Sequence, residues 1–278
     1  MIGRRWRPFA RNPAFVAGTL ILCAFVLLAL FADLLFPDDP LDMTAPPLLW
    51  PGQDPAFPLG SDSLGRDVLA MLVHGARASL AIGVAAAAIG LAIGTVVGAL
   101  AGFLGGWTDL ALMRLVELFQ TTPTFLLVVV IVAIAEPSLP TIALAIGLAS
   151  WPAVARLVRA QYRSLREADF VMAARALGYS RARIVVHEIF PNALPPVIVA
   201  ASVMIANAIL TEAGLSFLNM RDPNVVSWGG MIGDGRDQLR TAWFLTALPG
   251  AAIALAVLSL NLVGDGLNEI LNPRSDGP

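Results

Sequence analysis

Residues Arg166–Pro196 read READFVMAARALGYSRARIVVHEIFPNALPP. The stretch is polar and rich in arginine, and it stands between two apolar runs. Its pattern is that of two short helices joined at Gly178. Asp169 is placed to cap the first. Phe170, Ala173, Ala174 and Leu177 then follow at i, i+3, i+4 and i+7, which predicts one apolar stripe. Gly178 fits the left-handed position that ends a helix. Ser180 caps a second helix over Arg181–Phe190, and Pro191 breaks it. Pro195 and Pro196 fit the first turn of the apolar run that follows. A helix this short, with alanines on its apolar face, is marginal alone in water. Two surroundings suit it equally: a protein groove that admits small side chains, or the lipid interface, where arginines meet anionic headgroups.

Outside this stretch the chain is strongly apolar. Of its 278 residues, 57% are hydrophobic and 14% charged, against about 25% charged in an ordinary soluble domain. Runs of roughly 20 apolar residues mark an integral membrane protein. Six spans are expected: Ala14–Phe36, Ser79–Leu104, Leu110–Ala135, Leu139–Val158, Leu194–Leu215 and Ala242–Asn261. The fold class is therefore an all-α membrane protein with six transmembrane helices. The N-terminus, MIGRRWRPFARNPAFVAGTL, resembles a signal peptide, but its apolar run is too long and ends in Leu-Leu-Phe-Pro-Asp-Asp. It is read as a retained first span. A net charge of −2 excludes a whole-protein basic field for nucleic acid. Cys23 is the only cysteine, and His74 and His187 are the only histidines. Intrachain disulfides and a cysteine metal cluster are thereby excluded, and neither a metal site nor a catalytic residue is expected.

Arginine placement sets the orientation. Arg4, Arg5, Arg7, Arg11, Arg156, Arg159, Arg163, Arg166, Arg175, Arg181, Arg183 and Arg274 fall on one side. Arg66, Arg77, Arg221, Arg236 and Arg240 fall on the other, and Arg114 lies within the third span. The positive-inside rule puts the first group, and both termini, in the cytoplasm. The organisation that follows is a basic segment 1–13, a first span 14–36, an external loop 37–78, and a core 79–278 with a cytoplasmic loop 159–193. The external segment Pro37–Gly75 carries Asp38, Asp39, Asp42, Asp54, Asp62 and Asp67. It is too long for a simple connector, and reads either as passive surface or as a docking surface. Gly90, Gly94, Gly98 and Gly102 form a stripe for close helix approach. Arg114 and Glu117, three residues apart, suit an ion pair or a place in a pathway.

MAARALG followed nine residues later by EIFPNALP resembles the coupling loop of permease subunits of bacterial ATP-binding cassette importers. Ala173, Ala174, Gly178, Phe190 and Pro191 hold its positions, while Met172 replaces a glutamate and Glu188 an isoleucine. LGSDSLGRDVLAMLVHGARASL, GGWTDLALMRLVELF, ILTEAGLSFL and NLVGDGLNEILNPR extend the likeness over nearly the whole chain. Together they resemble the dipeptide/oligopeptide/nickel branch, in its second, C-type permease subunit. Departures fall at Asn219-Met220-Arg221 and at Asn268-Glu269.

The resemblance implies a type I importer permease fold, multi-pass in the bacterial cytoplasmic (inner) membrane. It implies a homologous second permease subunit forming a heterodimer, two cytoplasmic ATP-binding subunits, and an external solute-binding protein docking on Pro37–Gly75 and Gly214–Arg240. The ATPase-coupling residues would be Glu167, Asp169, Phe170, Met172, Ala173, Ala174, Arg175, Ala176, Leu177, Gly178 and Tyr179. Pathway or gating residues would be Glu117, Gln120, Asn207 and Glu212, the last equally suited to a structural role. The sequence contains no GxxxxGK[ST] phosphate loop. ATP and Mg²⁺ would thus be bound by the partners, with no cofactor in this chain. Dipeptides or oligopeptides are the expected substrates; the alternatives are a nickel chelate, glutathione or another peptide-like solute. An ion-coupled secondary transporter would bury charge at mid-span and show internal repeats, and neither is seen. A non-transporting scaffold would not stimulate a co-purifying ATPase.

Overall fold

The computed structural model describes residues 12–271. Arg4, Arg5, Arg7, Arg11 and Arg274, on which part of the orientation rests, lie outside them.

The first helix, α1 (Pro13–Leu30), is set by Asn12, whose side-chain oxygen accepts the N–H groups of Ala14 and Phe15, and by Pro13 at its start. The expected span to Phe36 is interrupted at Phe31, and one further turn, Ala32–Leu35, follows. Helix α2 (Val68–Leu104) begins well before the expected Ser79, capped by the Asp67 carboxylate on Leu69 N–H. Its polar early residues are satisfied across the fold. His74 Nε2 lies 3.1 Å from the Phe36 carbonyl, and Arg77 donates at 2.9 Å to both oxygens of Asp33. A hydropathy window sees only the charge there, not its partner.

The third span is two helices rather than one. Helices α3 (Gly106–Gln120) and α4 (Thr124–Ala135) meet at an angle of 79°. Pro123 lacks an N–H and disfavours helical geometry at Thr122, so the chain turns there. Helix α5 (Leu139–Leu165), capped by Ser138, outruns the expected Val158. Helix α6 (Asp169–Ala176) follows. Pro191 does not break the next helix. The turn Arg181–Arg183 passes into a π-helical stretch, Ile184–Ile189, and then into α7 (Phe190–Phe217). The wider turn shifts the hydrogen-bond register just where the proline N–H is missing. Pro195 and Pro196 lie inside α7. A short outer helix, α8 (Trp228–Gly235), was not anticipated. Helix α9 (Phe244–Leu271) runs well past the expected Asn261.

Among the described residues, α1, α2, α5, α7 with its preceding turns, and α9 are each long and apolar enough to cross a membrane. Counted as one span, the bent pair α3–α4 makes a sixth. The α2–α5 seam is the closest packing. A Cβ on Gly94 would lie 2.5 Å from Val154 Cβ, one on Gly98 2.4 Å from the Ala155 carbonyl, and one on Gly102 2.7 Å from the Arg159 carbonyl. From the other side, one on Gly147 would lie 2.7 Å from Ile89 Cβ. These backbones approach because at each contact one of the two helices carries no side chain.

The external segment is folded. Leu48 N–H donates to the Asp62 carbonyl at 2.8 Å, and Ser61 N–H to the Leu49 carbonyl at 3.0 Å. Trp50 packs on Phe244, ring centroids 5.3 Å apart.

Candidate functional site

Helix α6 lies between the long α5 and the π-helical turn, in the loop expected to be cytoplasmic. Its cap is Ala168, not Asp169; Asp169 is the first helical residue and makes no side-chain cap bond. A carboxylate in the first turn still favours the helix dipole. The expected stripe divides between two faces. Val171 and Ala174 are buried against Tyr162, Ile184 and Ile189, while Phe170, Met172, Ala173, Ala176 and Leu177 are exposed. Packing on the α5 end, which periodicity cannot see, chooses the inward residues. The helix ends with Gly178 at φ +79°, with Gly178 N–H on the Arg175 carbonyl and Tyr179 N–H on the Ala174 carbonyl. That paired arrangement requires the left-handed residue. Arg175 donates to the Arg166 carbonyl at 3.3 Å, Glu167 lies 3.4 Å from Arg166, and Tyr179 sits under the Arg183 guanidinium at 3.9 Å. The eleven residues expected to couple thus lie along one short segment, anchored by Val171 and Ala174.

A cavity of about 500 Å³ opens at the α3–α4 bend. Gln120, Asn207, Thr211 and Ser150 give it polar walls, and Phe119 and Phe125 apolar ones. Of the four residues expected in a pathway, Gln120 and Asn207 meet there. Gln120 also borders a second cavity of about 500 Å³, with Glu117, Arg156 and Asp109 on its walls. Glu117 pairs with Arg114 at 2.8 Å, both largely exposed, so the pair adds only about 0.5 kcal/mol. Arg159 grips both oxygens of Asp109, tying α5 to α3.

Glu212 lies apart from these cavities. It is 1% exposed, and its Oε1 accepts the hydroxyls of Ser216 and Ser227, each at 2.7 Å. Ser227 Oγ also accepts Gly230 N–H at 3.0 Å, capping α8. The carboxylate therefore fixes α8 to α7. Beside it, Asp234 accepts both arms of Arg221 and, at 3.1 Å, Arg66, which also bonds Asp62. This outer network joins the external segment to α8 and was missed in the sequence, where its members lie far apart. Of the departures, Asn219 takes the left-handed conformation at φ +62° that ends α7, and Met220 N–H closes onto the Leu215 carbonyl. Glu269 accepts Asn12 at 2.6 Å, joining α9 to the start of α1.

Residues 94–277 match the family described as binding-protein-dependent transport system inner membrane component. Residues 1–51 match the N-terminal TM domain of oligopeptide transport permease C. The chain is 39% identical to the di/tripeptide transport system permease protein of Pseudomonas aeruginosa, over 97% of this chain and 91% of that one. It is 40% identical to the dipeptide transport system permease protein of Escherichia coli K12, over 97% and 92%. The fold matches a chain of the MetNI methionine ABC transporter in an inward-facing conformation, with a TM-score of 0.60 and 19% identity, over 72% of this chain and 96% of that one.

Proposed function

This chain belongs to the family of binding-protein-dependent transport system inner membrane components, and from that premise we propose that it imports dipeptides and closely related short peptides. It is a multi-pass permease subunit of an ATP-binding cassette importer in the inner membrane. In the proposed assembly a homologous permease subunit supplies the other half of the pathway. Two cytoplasmic subunits bind ATP and Mg²⁺, and an external binding protein delivers the peptide.

The observation that carries the coupling role is the geometry of α6. Val171 and Ala174 lock it to the membrane body, while Phe170, Met172, Ala173 and Leu177 stand exposed on the other face. Such a helix transmits force: its inner face cannot slide, and its outer face offers apolar anchors to a groove. Closure of the ATPase pair would shift α6 and, through the π-helical turn, α7. The exit route would run from the α3–α4 cavity past Gln120 to the vestibule beside Glu117.

Ala173→Arg puts an unpaired charge into that interface, where it costs about 3–5 kcal/mol. Uptake by the reconstituted complex should fall more than tenfold while basal ATP hydrolysis continues. Gly178→Asp, which forces a side chain into the left-handed conformation, should act in the same direction. Normal uptake and normal substrate-stimulated ATPase in both variants would remove the coupling role. The substrate is tested on the partner binding protein, which should gain thermal stability with di- and tripeptides; no stabilisation by any peptide would overturn the peptide reading.

A further inference from the structure

We propose that the cytoplasmic end of α2 and the loop after α6 form a binding pocket for the phosphate headgroup of an anionic phospholipid. The pocket has a volume of about 470 Å³ and is lined by Phe103, Leu104, Arg175, Tyr179, Arg181 and Ile184. None of these is acidic. Among the described residues, neither Arg175 nor Arg181 has a carboxylate at ion-pair distance. Arg183 stacks on Tyr179, which holds a third guanidinium beside the pocket. An unneutralised arginine pair in a concave site is a receptor for phosphate oxygens.

The apolar wall selects a lipid over a soluble anion. Phe103 and Leu104 are the last residues of an apolar helix long enough to cross a membrane, so the pocket joins a basic rim to an apolar wall, as a phospholipid joins its headgroup to its chains. Leu104 is exposed, and Trp107, just beyond it, is 85% exposed, as aromatic residues at a membrane–water boundary are. Basic pockets at the cytoplasmic ends of spans bind such headgroups. The lipid would brace the loop that follows α6 against the membrane surface. The pocket shares Arg175 and Tyr179 with the expected coupling element but none of its outward apolar residues Phe170, Met172, Ala173 and Leu177, and it stands whether or not the cargo is a peptide.

The test uses the complex carrying this chain, purified in detergent and titrated with phosphatidylglycerol or phosphatidylcholine, with bound lipid counted by native mass spectrometry. The wild type should prefer phosphatidylglycerol. Arg181→Gln should bind it roughly fivefold more weakly, the worth of one arginine–headgroup contact, and Arg175→Gln should do the same. Arg181→Lys should retain most of the binding. Arg163→Gln, on the same surface but outside the pocket, should bind as the wild type does. Equal binding by wild type and both glutamine variants overturns the proposal. Displacement of the lipid by inorganic phosphate at similar concentration overturns the lipid assignment. Lipid-independent shielding of Arg181→Cys from a thiol reagent in the assembled complex assigns the pocket to a protein subunit, and overturns it too.

Discussion

Glu212 shows how one side chain organises the outer face. Its carboxylate is buried, and Oε2 has no hydrogen-bond partner among the described residues. An unpaired buried polar atom costs about 1–3 kcal/mol, so the group is kept for what its other oxygen does: it holds two serine hydroxyls, one of which caps α8. Glu212→Leu should lower thermal stability by about 2 kcal/mol by stranding both hydroxyls. Glu212→Gln, which keeps the acceptor and sheds the charge, should be neutral or stabilising; unfolding of the detergent-purified chain reads both. The sequence marked Glu212 as conspicuous but left open whether it is structural, because the residue that decides, Ser227, lies in a loop with no periodic signal. Gly178 was legible for the opposite reason. A helix-ending glycine announces itself locally, and φ is indeed positive there. Asn219 plays the same part at the end of α7 with a residue that also tolerates that conformation.

At the scale of elements, the glycine stripe of α2 and the break between α3 and α4 do most to shape the membrane body. Gly98→Ala should destabilise by about 1–3 kcal/mol, because its Cβ would meet a backbone carbonyl that cannot turn aside. Gly250→Ala in α9 meets nothing within 4 Å, so it should gain up to about 1 kcal/mol from helix propensity. If thermal unfolding ranked the two alike, tight contact at the seam would not be the cause. The stripe was readable from spacing, and five of the spans from the lengths of apolar runs, with the bent α3–α4 pair standing where the sixth was expected. The limits of α2, α5 and α9 were not, because their polar ends are satisfied by distant partners such as Arg77 on Asp33. The π-helical turn was hidden for another reason: the proline rule assumes an α-helical register.

The whole molecule has a braced exterior and an anchored interior. On the outside, Asp234 receives both Arg221 and Arg66 and so binds α8 to the external segment. Asp234→Ala leaves two arginines without their shared acceptor. We expect a loss of about 1–3 kcal/mol in stability and a marked fall in ATPase stimulation by the binding protein, with basal activity kept. Unchanged stimulation would separate this network from docking. Such pairings join residues far apart in the chain, which is why sequence patterns suggested a docking loop without saying what stiffens it.

The α2–α5 seam also bears on how the protein is made. The glycine face of α2 enters the membrane first, and its partner emerges only after the bent α3–α4 segment has been inserted. Until then α2 offers nearly bare backbone to any small-residue helix nearby. The order of synthesis, with the bent segment held at the membrane surface or across it, therefore decides which helix fills that face. A delay in translation between α4 and α5 would be expected to raise mispairing even though the finished fold is unchanged.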